Sequence, residues 1–328
     1  MTNAITGTAQ MAALVQTSYD QVLEFALRAN PMYRMVADKR PAHQSMPGSS
    51  VVFSLYQDLA VQKTPLNEVV DPDAVAIGNP TTVSVTINEY GNAILVTERL
   101  DIYSFTQVDA GIANQVAWNM VDTVDEVVQD VLATGTQTIR TDGTTKAAYG
   151  FGTTPTNPLA ITAIDSDAVF NSDMARLATV QLRTNKVHPN RGGLYTAFIH
   201  PQVSLDLRRE TGAAAWRDPH NYSAAGNIWD AEIGAYEGAA YIETPRNRNE
   251  QTGAGAGSTQ TRVFNTYYTG QQALAEAVAQ EFHLVRGPVT DKLMRFQPMG
   301  WKGLAGWSLY RPEALIVAQS TSSARNAA

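Results

Sequence analysis

Histidine, aspartate and arginine are the residue types here that can do chemistry, and their spacing points away from catalysis. The five histidines, His43, His188, His200, His220 and His283, never fall at the i, i+4 spacing of a zinc helix, and no acid completes such a motif. His200 precedes Pro201 and reads as a turn or strand-end residue rather than a general base. Catalytic triads do assemble from scattered residues. A soluble hydrolase using Asp206 and His200 is therefore carried as a rival, which requires a concave polar site and predicts loss of turnover when either residue becomes Ala. Cysteine is absent, which removes disulfides, thiolate metal sites and cysteine nucleophiles together and fits folding in a reducing compartment.

No Gly-x-x-x-x-Gly-Lys-Ser/Thr phosphate loop and no Gly-x-Ser-x-Gly elbow occurs. The Gly253 to Gly257 alternation neither follows a convincing strand nor opens a helix, as a dinucleotide fingerprint must. Basic residues gather at Arg183 to Arg191, at Arg208-Arg209 and at Arg246 with Arg248, and are read as interface or surface ion pairs. The formal net charge of -7 lacks the footprint of a phosphate-gripping protein, so direct DNA binding is not expected. Asp122, Asp125, Glu126 and Asp130 are read as a solvated or interface-facing helix edge rather than a metal site. The expectation is no catalytic residue, no cofactor and no metal.

These residues sit in a chain of 328 with 44% hydrophobic residues, enough for a substantial core. Charged residues are only 17%, against roughly 25% in ordinary soluble proteins, which suits a surface hidden against neighbours. Met1 to Gln16 has neither the basic nor the apolar region of a signal peptide, and no apolar run approaches the roughly 20 residues of a membrane span. A soluble protein without a membrane partner is expected. Asn221-Tyr222-Ser223 is then a chance match to a glycosylation acceptor.

Helical spacing of Met11, Leu14, Val15, Val22, Phe25 and Ala26 predicts an N-terminal helical arm stopped at Asn30-Pro31. Val51 to Tyr56 reads as a strand. Gln57 to Pro80, with Pro65, Pro72, Pro80 and the acids Asp58, Glu68, Asp71 and Asp73, cannot build its own core and is expected as an extended loop. Val83, Val85 and Ile87 alternate with polar residues as in a half-covered strand, Asn88 to Asn92 is read as a turn, and Ala93 to Glu98 as the returning strand.

A long amphipathic helix is predicted from about Gln107 to Thr134, on the stripe Ile112, Val116, Met120, Val124, Val127, Val128 and Val131. Thr106 with Asp109 resembles a capping box, and Gly135 sits where a C′ residue would. It would span roughly 40 Å. Its valines lose side-chain freedom in a helix, so packing must hold it. Gly135 to Pro158 reads as a connection. A second helix is predicted from Asp167 to Lys186. Beyond it come short elements: Tyr195 to Ile199, a helix-like Gln202 to Arg209, Ala239 to Glu243, Val263 to Tyr268, Leu274 to Ala279, and closing strands near Trp307 and at Ala314 to Ala318. Asn249 to Thr261 is read as a flexible surface loop. The fold class is α+β.

An arm, an extended β-loop, a long spine helix and a mixed α+β region, in that order, resemble the HK97-type capsid fold of tailed bacteriophages. Among its families the chain looks most similar to the N4-type major capsid proteins. That resemblance is carried by Tyr195-Thr-Ala-Phe-Ile-His-Pro-Gln-Val-Ser-Leu-Asp-Leu-Arg208, by Trp229-Asp-Ala-Glu-Ile-Gly-Ala-Tyr-Glu-Gly238 leading to Ile242-Glu-Thr-Pro245, and by Gly300-Trp-Lys-Gly303. These are packing and turn patterns. Gly234 and Gly238 are read as turn glycines, and Trp301 and Trp307 as anchors of the closing strands or as subunit contacts.

The resemblance implies an N-terminal arm at 1–47, an extended β-loop at 48–100, a peripheral domain at 101–192, an axial domain at 193–290, and closing strands with a tail at 291–328. It implies a homo-oligomer of pentamers and hexamers forming an icosahedral shell around double-stranded DNA, without sequence-specific DNA binding. Such a virion protein is assembled in the cytoplasm of a bacterial host. The resemblance implies a separate scaffolding protein or none, with portal and decoration proteins as further candidate partners. Only a few residues precede the first predicted helix, so a built-in scaffold of the crosslinked prototype's kind is not expected, and Lys63 is a crosslink candidate by location alone. An encapsulin-like compartment is the rival within the fold, told apart by protein cargo in place of nucleic acid. A tail-tube subunit would form tubes instead of closed shells.

Overall fold

Alternating Val, Phe and Thr over two short runs builds a ribbon, and a larger mixed sheet draws its strands from Thr138 onward. The computed structural model describes residues 30–41, 50–56, 58–66, 68–69, 71, 74–103, 108–141, 148–149, 164, 167–190, 192–210, 232–252, 261–288, 293 and 295–325. The predicted N-terminal helix, the Thr106 capping residue and the Gly253 to Gly257 alternation lie outside them. In chain order the elements are β1 (Ala37–Pro41), β2 (Ser50–Leu55), β3 (Thr81–Thr86), β4 (Asn88–Thr97), α1 (Glu98–Tyr103), α2 (Val108–Ala133), β5 (Thr138–Thr141), β6 (Ala148–Tyr149), α3 (Ser172–Thr184), β7 (Tyr195–Ile199), α4 (Pro201–Arg209), β8 (Glu232–Tyr236), β9 (Ala239–Glu243), β10 (Asn249–Thr252), β11 (Thr261–Thr269), β12 (Leu274–Arg286), β13 (Phe296–Leu309) and β14 (Leu315–Ser320).

The chain divides into two units, one holding Gly91–Met120 and His283–Lys302, the other Ala29–Tyr90, Val121–Phe282 and Gly303–Ala328. One sheet has the order β1-β12-β13-β4, a second β6-β5-β14-β11-β7-β9-β8 with β10 beside β11, and β2 pairs β3 alone. In the larger unit the second sheet separates two apolar layers. One contains Met174, Ala178 and Leu182 of α3, Val203 and Leu207 of α4, and Tyr241, Phe264 and Tyr268. The other contains Val124, Val128 and Leu132 of α2 with Tyr33, Phe198, Tyr267 and Trp307.

The valine stripe of α2 is inward as its spacing predicts, with Val116, Val124, Val128 and Leu132 buried. Trp307 is buried between Phe282, stacked at 6.2 Å, and Tyr90 at 5.9 Å, so it anchors the closing strand within the subunit. Glu237 and Gly238, at φ +49° and +84°, make the tight β8–β9 turn, and a bulge falls between Glu232 and Gly234.

Several sequence expectations are corrected. The predicted hairpin across Asn88 to Asn92 does not form: β3 pairs antiparallel with β2, and β4 runs unbroken through those residues beside β13. The reason lies in Gly91 and Gly300, which are close-approach glycines. A Cβ on Gly91 would lie 2.8 Å from the Trp301 carbonyl, and one on Gly300 2.5 Å from that of Asn92. The second helix starts at Ser172 rather than Asp167, because Asn171 caps it by accepting from Met174 N at 3.0 Å while Val169 is bridged to Thr321. The flanks of the predicted loop at Asn249 to Thr261 are strands, β10 on β11. The strand beginning at Leu274 runs on to Arg286.

Gly306 is the tightest of these contacts, since an added Cβ would sit 2.0 Å from the Thr86 carbonyl oxygen, backbone that cannot swing away. Gly306→Ala is expected to cost about 2–3 kcal/mol of stability, measured as a lowered denaturant midpoint. An unchanged midpoint would show that β13 does not approach β3 this closely.

Candidate assembly surface

The ribbon of β2 and β3 has one covered face. Registration of Val51 with Val85 and Phe53 with Val83 puts these side chains on the same side, where Phe53 and Val85 are buried against Ala275, Ala277 and Tyr310. Phe53 meets Tyr310 with ring centroids 5.6 Å apart. On the other face Ser50, Val52, Ser54, Thr82, Ser84 and Thr86 are all exposed.

Between the two strands the described loop residues carry apolar side chains that lie exposed. Tyr56, Leu59, Val61, Leu66, Val69, Val75 and Ile77 are exposed, Val69 to 89%. Scattered exposed apolar residues are ordinary, but seven within 22 positions form a concentrated exposed apolar surface. Fully burying such side chains contributes about 1.5–3 kcal/mol each, so docking this loop makes on the order of 10 kcal/mol available. Lys63 is exposed in the same loop.

The residues singled out for chemistry turn out to be structural. His200 is the N-cap of α4, its Nδ1 accepting from Gln202 N at 3.2 Å, and its ring lies 4.6 Å from Phe264. Asp206 is buried and accepts from the backbone N of Ser323 at 3.0 Å and from the Ser323 hydroxyl, which ties the C-terminal turn to α4. His188 and His283 are exposed, and His43 and His220 lie outside the described residues. Among the described residues no group of three or more His, Asp or Glu is placed to hold a metal, and no helix is long and apolar enough to cross a membrane.

The acids of α2 do not form one exposed edge. Asp122 and Asp125 hold Arg246 between them, at 2.5 Å from Nη1 and 2.9 Å from Nε, while Arg248 reaches Asp130 at 3.2 Å. Asp125 is buried, which corrects its reading as a solvated or interface residue. Its other oxygen accepts the backbone N–H of Tyr33 at 2.9 Å, and the Tyr33 hydroxyl donates to Asn247, whose Nδ2 donates to the Phe198 carbonyl at 2.9 Å. The signal that could have revealed this is the i, i+3 pair Asp122/Asp125: the apolar positions Val124 and Val128 place Asp125 beside the buried stripe.

Residues 11–313 match the phage capsid protein family. No curated protein sequence matches the chain. Among solved structures, the cyanophage Pam1 capsid asymmetric unit is similar at 13% identity and TM-score 0.70, covering 98% of this chain and all of that one. The capsid of Ralstonia phage GP4 is similar at 14% identity and TM-score 0.70, covering 98% and 99%. The capsid of the native GTA particle, computed with C5 symmetry, is similar at 12% identity and TM-score 0.59, covering 97% and 100%.

Burial raises the Asp125 carboxyl above the ordinary carboxylate range, opposed by the Tyr33 N–H and the Arg246 guanidinium. A raised carboxylate contributes more stability when protonated, so that contribution falls as pH rises through the folded value. Arg246→Met leaves this charge unpaired and is expected to cost about 3 kcal/mol at neutral pH, with the deficit shrinking as acid protonates Asp125. A pH series of denaturation midpoints reads this, and a pH-independent deficit would contradict it. His200 has the opposite sense. Burial depresses its pKa below the ordinary 6.5, so its contribution is full above that pH and declines as the unfolded chain takes up the proton below it. His200→Asn, which keeps a capping oxygen and cannot titrate, should flatten the stability profile below that pH, and an unaltered slope would rule out His200 as its source.

Proposed function

The chain belongs to the phage capsid protein family, and from that premise we propose that it acts by self-association, identical copies forming pentamers and hexamers that close an icosahedral head shell around packaged double-stranded DNA. It is a structural virion protein with an HK97-type fold, and the family is not enzymatic. The observation that carries the assembly reading is the exposed apolar loop between β2 and β3, a surface that gains its cover from another copy. Obligate interfaces that bury extended segments commonly exceed about 2,000 Å². The net charge of -7 limits adhesion to DNA, which would otherwise impede packing.

Within the family we assign the chain to the N4-type group, on the segments Tyr195–Arg208, Trp229–Gly238 and Gly300–Gly303. We take 1–47 as the arm, 48–100 as the extended loop, 101–192 as the peripheral domain, 193–290 as the axial domain and 291–328 as the closing segment. Scaffolding, portal and decoration proteins are the proposed partners, and the host cytoplasm is the proposed site of assembly. Lys63 is exposed in the loop, as a crosslinking lysine must be.

Deleting Asp58 to Pro80 is expected to leave a soluble, folded chain that no longer forms shells, because the core lies elsewhere. Negative-stain electron microscopy of chain expressed in bacteria, with and without neighbouring phage genes, reads the result. Normal shells from the deletion would remove the loop from assembly, and compact monomers from the intact chain under both conditions would remove the reading itself.

A further inference from the structure

Three stretches of the larger unit meet around a cavity of about 520 Å³: Met35 to Asp38 leading into β1, Asn190 and Thr196 before and within β7, and Gln271 with Gln272 in the turn from β11 to β12. Its polar side is already ordered. The Asn190 side-chain nitrogen donates to the Thr269 carbonyl at 3.0 Å and to the Thr269 hydroxyl at 3.3 Å, and that hydroxyl donates to the Thr196 carbonyl at 3.2 Å. The turn is tied down as well, since the backbone N–H of Gln271 donates to the His188 carbonyl at 2.8 Å.

Two groups are left over by this arrangement. Thr196 is only 2% exposed and lines the cavity, yet its hydroxyl has no hydrogen-bond partner among the described residues. A hydroxyl so enclosed carries its desolvation penalty until something supplies the missing bond. The Asn190 nitrogen is used on Thr269, which leaves its Oδ1 as an acceptor. Gln272 lines the same space at φ +63°, a left-handed conformation that glycine adopts at less cost.

The lining selects a class of ligand. Asp38 is its one charged side chain among the described residues, and no Lys, Arg or His stands with it. Thr196, Asn190 and the two glutamines add neutral oxygens, and Met35, Val36 and Ala37 supply an apolar wall. Such a lining repels an anion, and a bare calcium or magnesium ion finds one carboxylate where it needs a shell of hard oxygens. A cationic head on an aliphatic stem satisfies both halves, the head taking the acceptors and the stem lying along the apolar wall.

We propose that this cavity binds an aliphatic organic cation, an alkylammonium or alkylguanidinium group, with its head at Asp38, Asn190 and Thr196 and its stem against Met35 and Val36. A free amine and the lysine or arginine side chain of another copy carry that group alike. An occupant joins three segments distant in the chain, so it stabilises the fold that binds it. The site is built within one chain and does not depend on the shell reading.

Spermidine is the probe, titrated calorimetrically into dispersed full-length chain at fixed ionic strength, with hexanediol as a neutral chain of similar length. Spermidine is expected to saturate one site per chain and to raise the thermal midpoint, and hexanediol to do neither. A net charge of -7 attracts any polyamine loosely, so the deciding variants leave charge unchanged. Thr196→Val and Gln272→Gly are each expected to weaken binding about tenfold. Gln272→Gly also relieves the left-handed backbone and so keeps the fold. Asp38→Asn should weaken binding further. Saturable binding that both uncharged variants leave intact belongs to general surface charge and would overturn the proposal. Absence of saturable binding, or equal binding of hexanediol, would overturn it too. Assembled shells separate the two sources. Spermidine that still binds shells at one per chain marks a site for a free amine, whereas loss in shells of a site that dispersed subunits show marks it as filled by a neighbour's basic side chain.

Discussion

Much of the larger unit is tied through one guanidinium. Arg246 lies between Asp122 and Asp125 of α2, and Asp125 in turn holds the backbone of Tyr33, which begins the segment leading into β1. Asn247, the next residue, accepts the Tyr33 hydroxyl and donates to β7 through the Phe198 carbonyl. The β-branched helix gains little from intrinsic propensity, so its position depends on packing and on such tethers. A buried charge of this kind adds little net stability over an apolar substitute, but it specifies one arrangement: any other leaves an unpaired carboxylate in the core.

Around that node the apolar surface is divided unequally. The sheet buries aromatic residues on both sides, including the Tyr241–Tyr268 hydroxyl pair at 2.9 Å, while the ribbon of β2 and β3 is covered on one face and the described apolar residues of the loop between them are exposed. This division separates two tasks. The core holds the subunit together, and the loop leaves part of the apolar surface exposed for use between copies.

The sequence was most legible where local pattern and tertiary demand agree. The valine stripe of α2 and the alternation in β3 follow from periodicity alone. Gly91 was misread because a glycine between two apolar runs signals a turn and a close strand crossing alike, and only the partner Trp301 carbonyl distinguishes them. Asp125 was misread because a carboxylate beside a buried stripe looks solvated until its cation, 121 positions away in Arg246, is brought to it. The exposed loop was legible in its prolines and acids.

The uncovered loop also sets a condition on how the free subunit can be kept. The same apolar side chains that reward correct docking reward any other contact, so ordered growth and amorphous clumping draw on one driving force and differ only in geometry. Raising subunit concentration speeds both. A pool of unassembled chains is then safest when dilute, or when the acidic residues that punctuate the loop keep neighbouring copies apart.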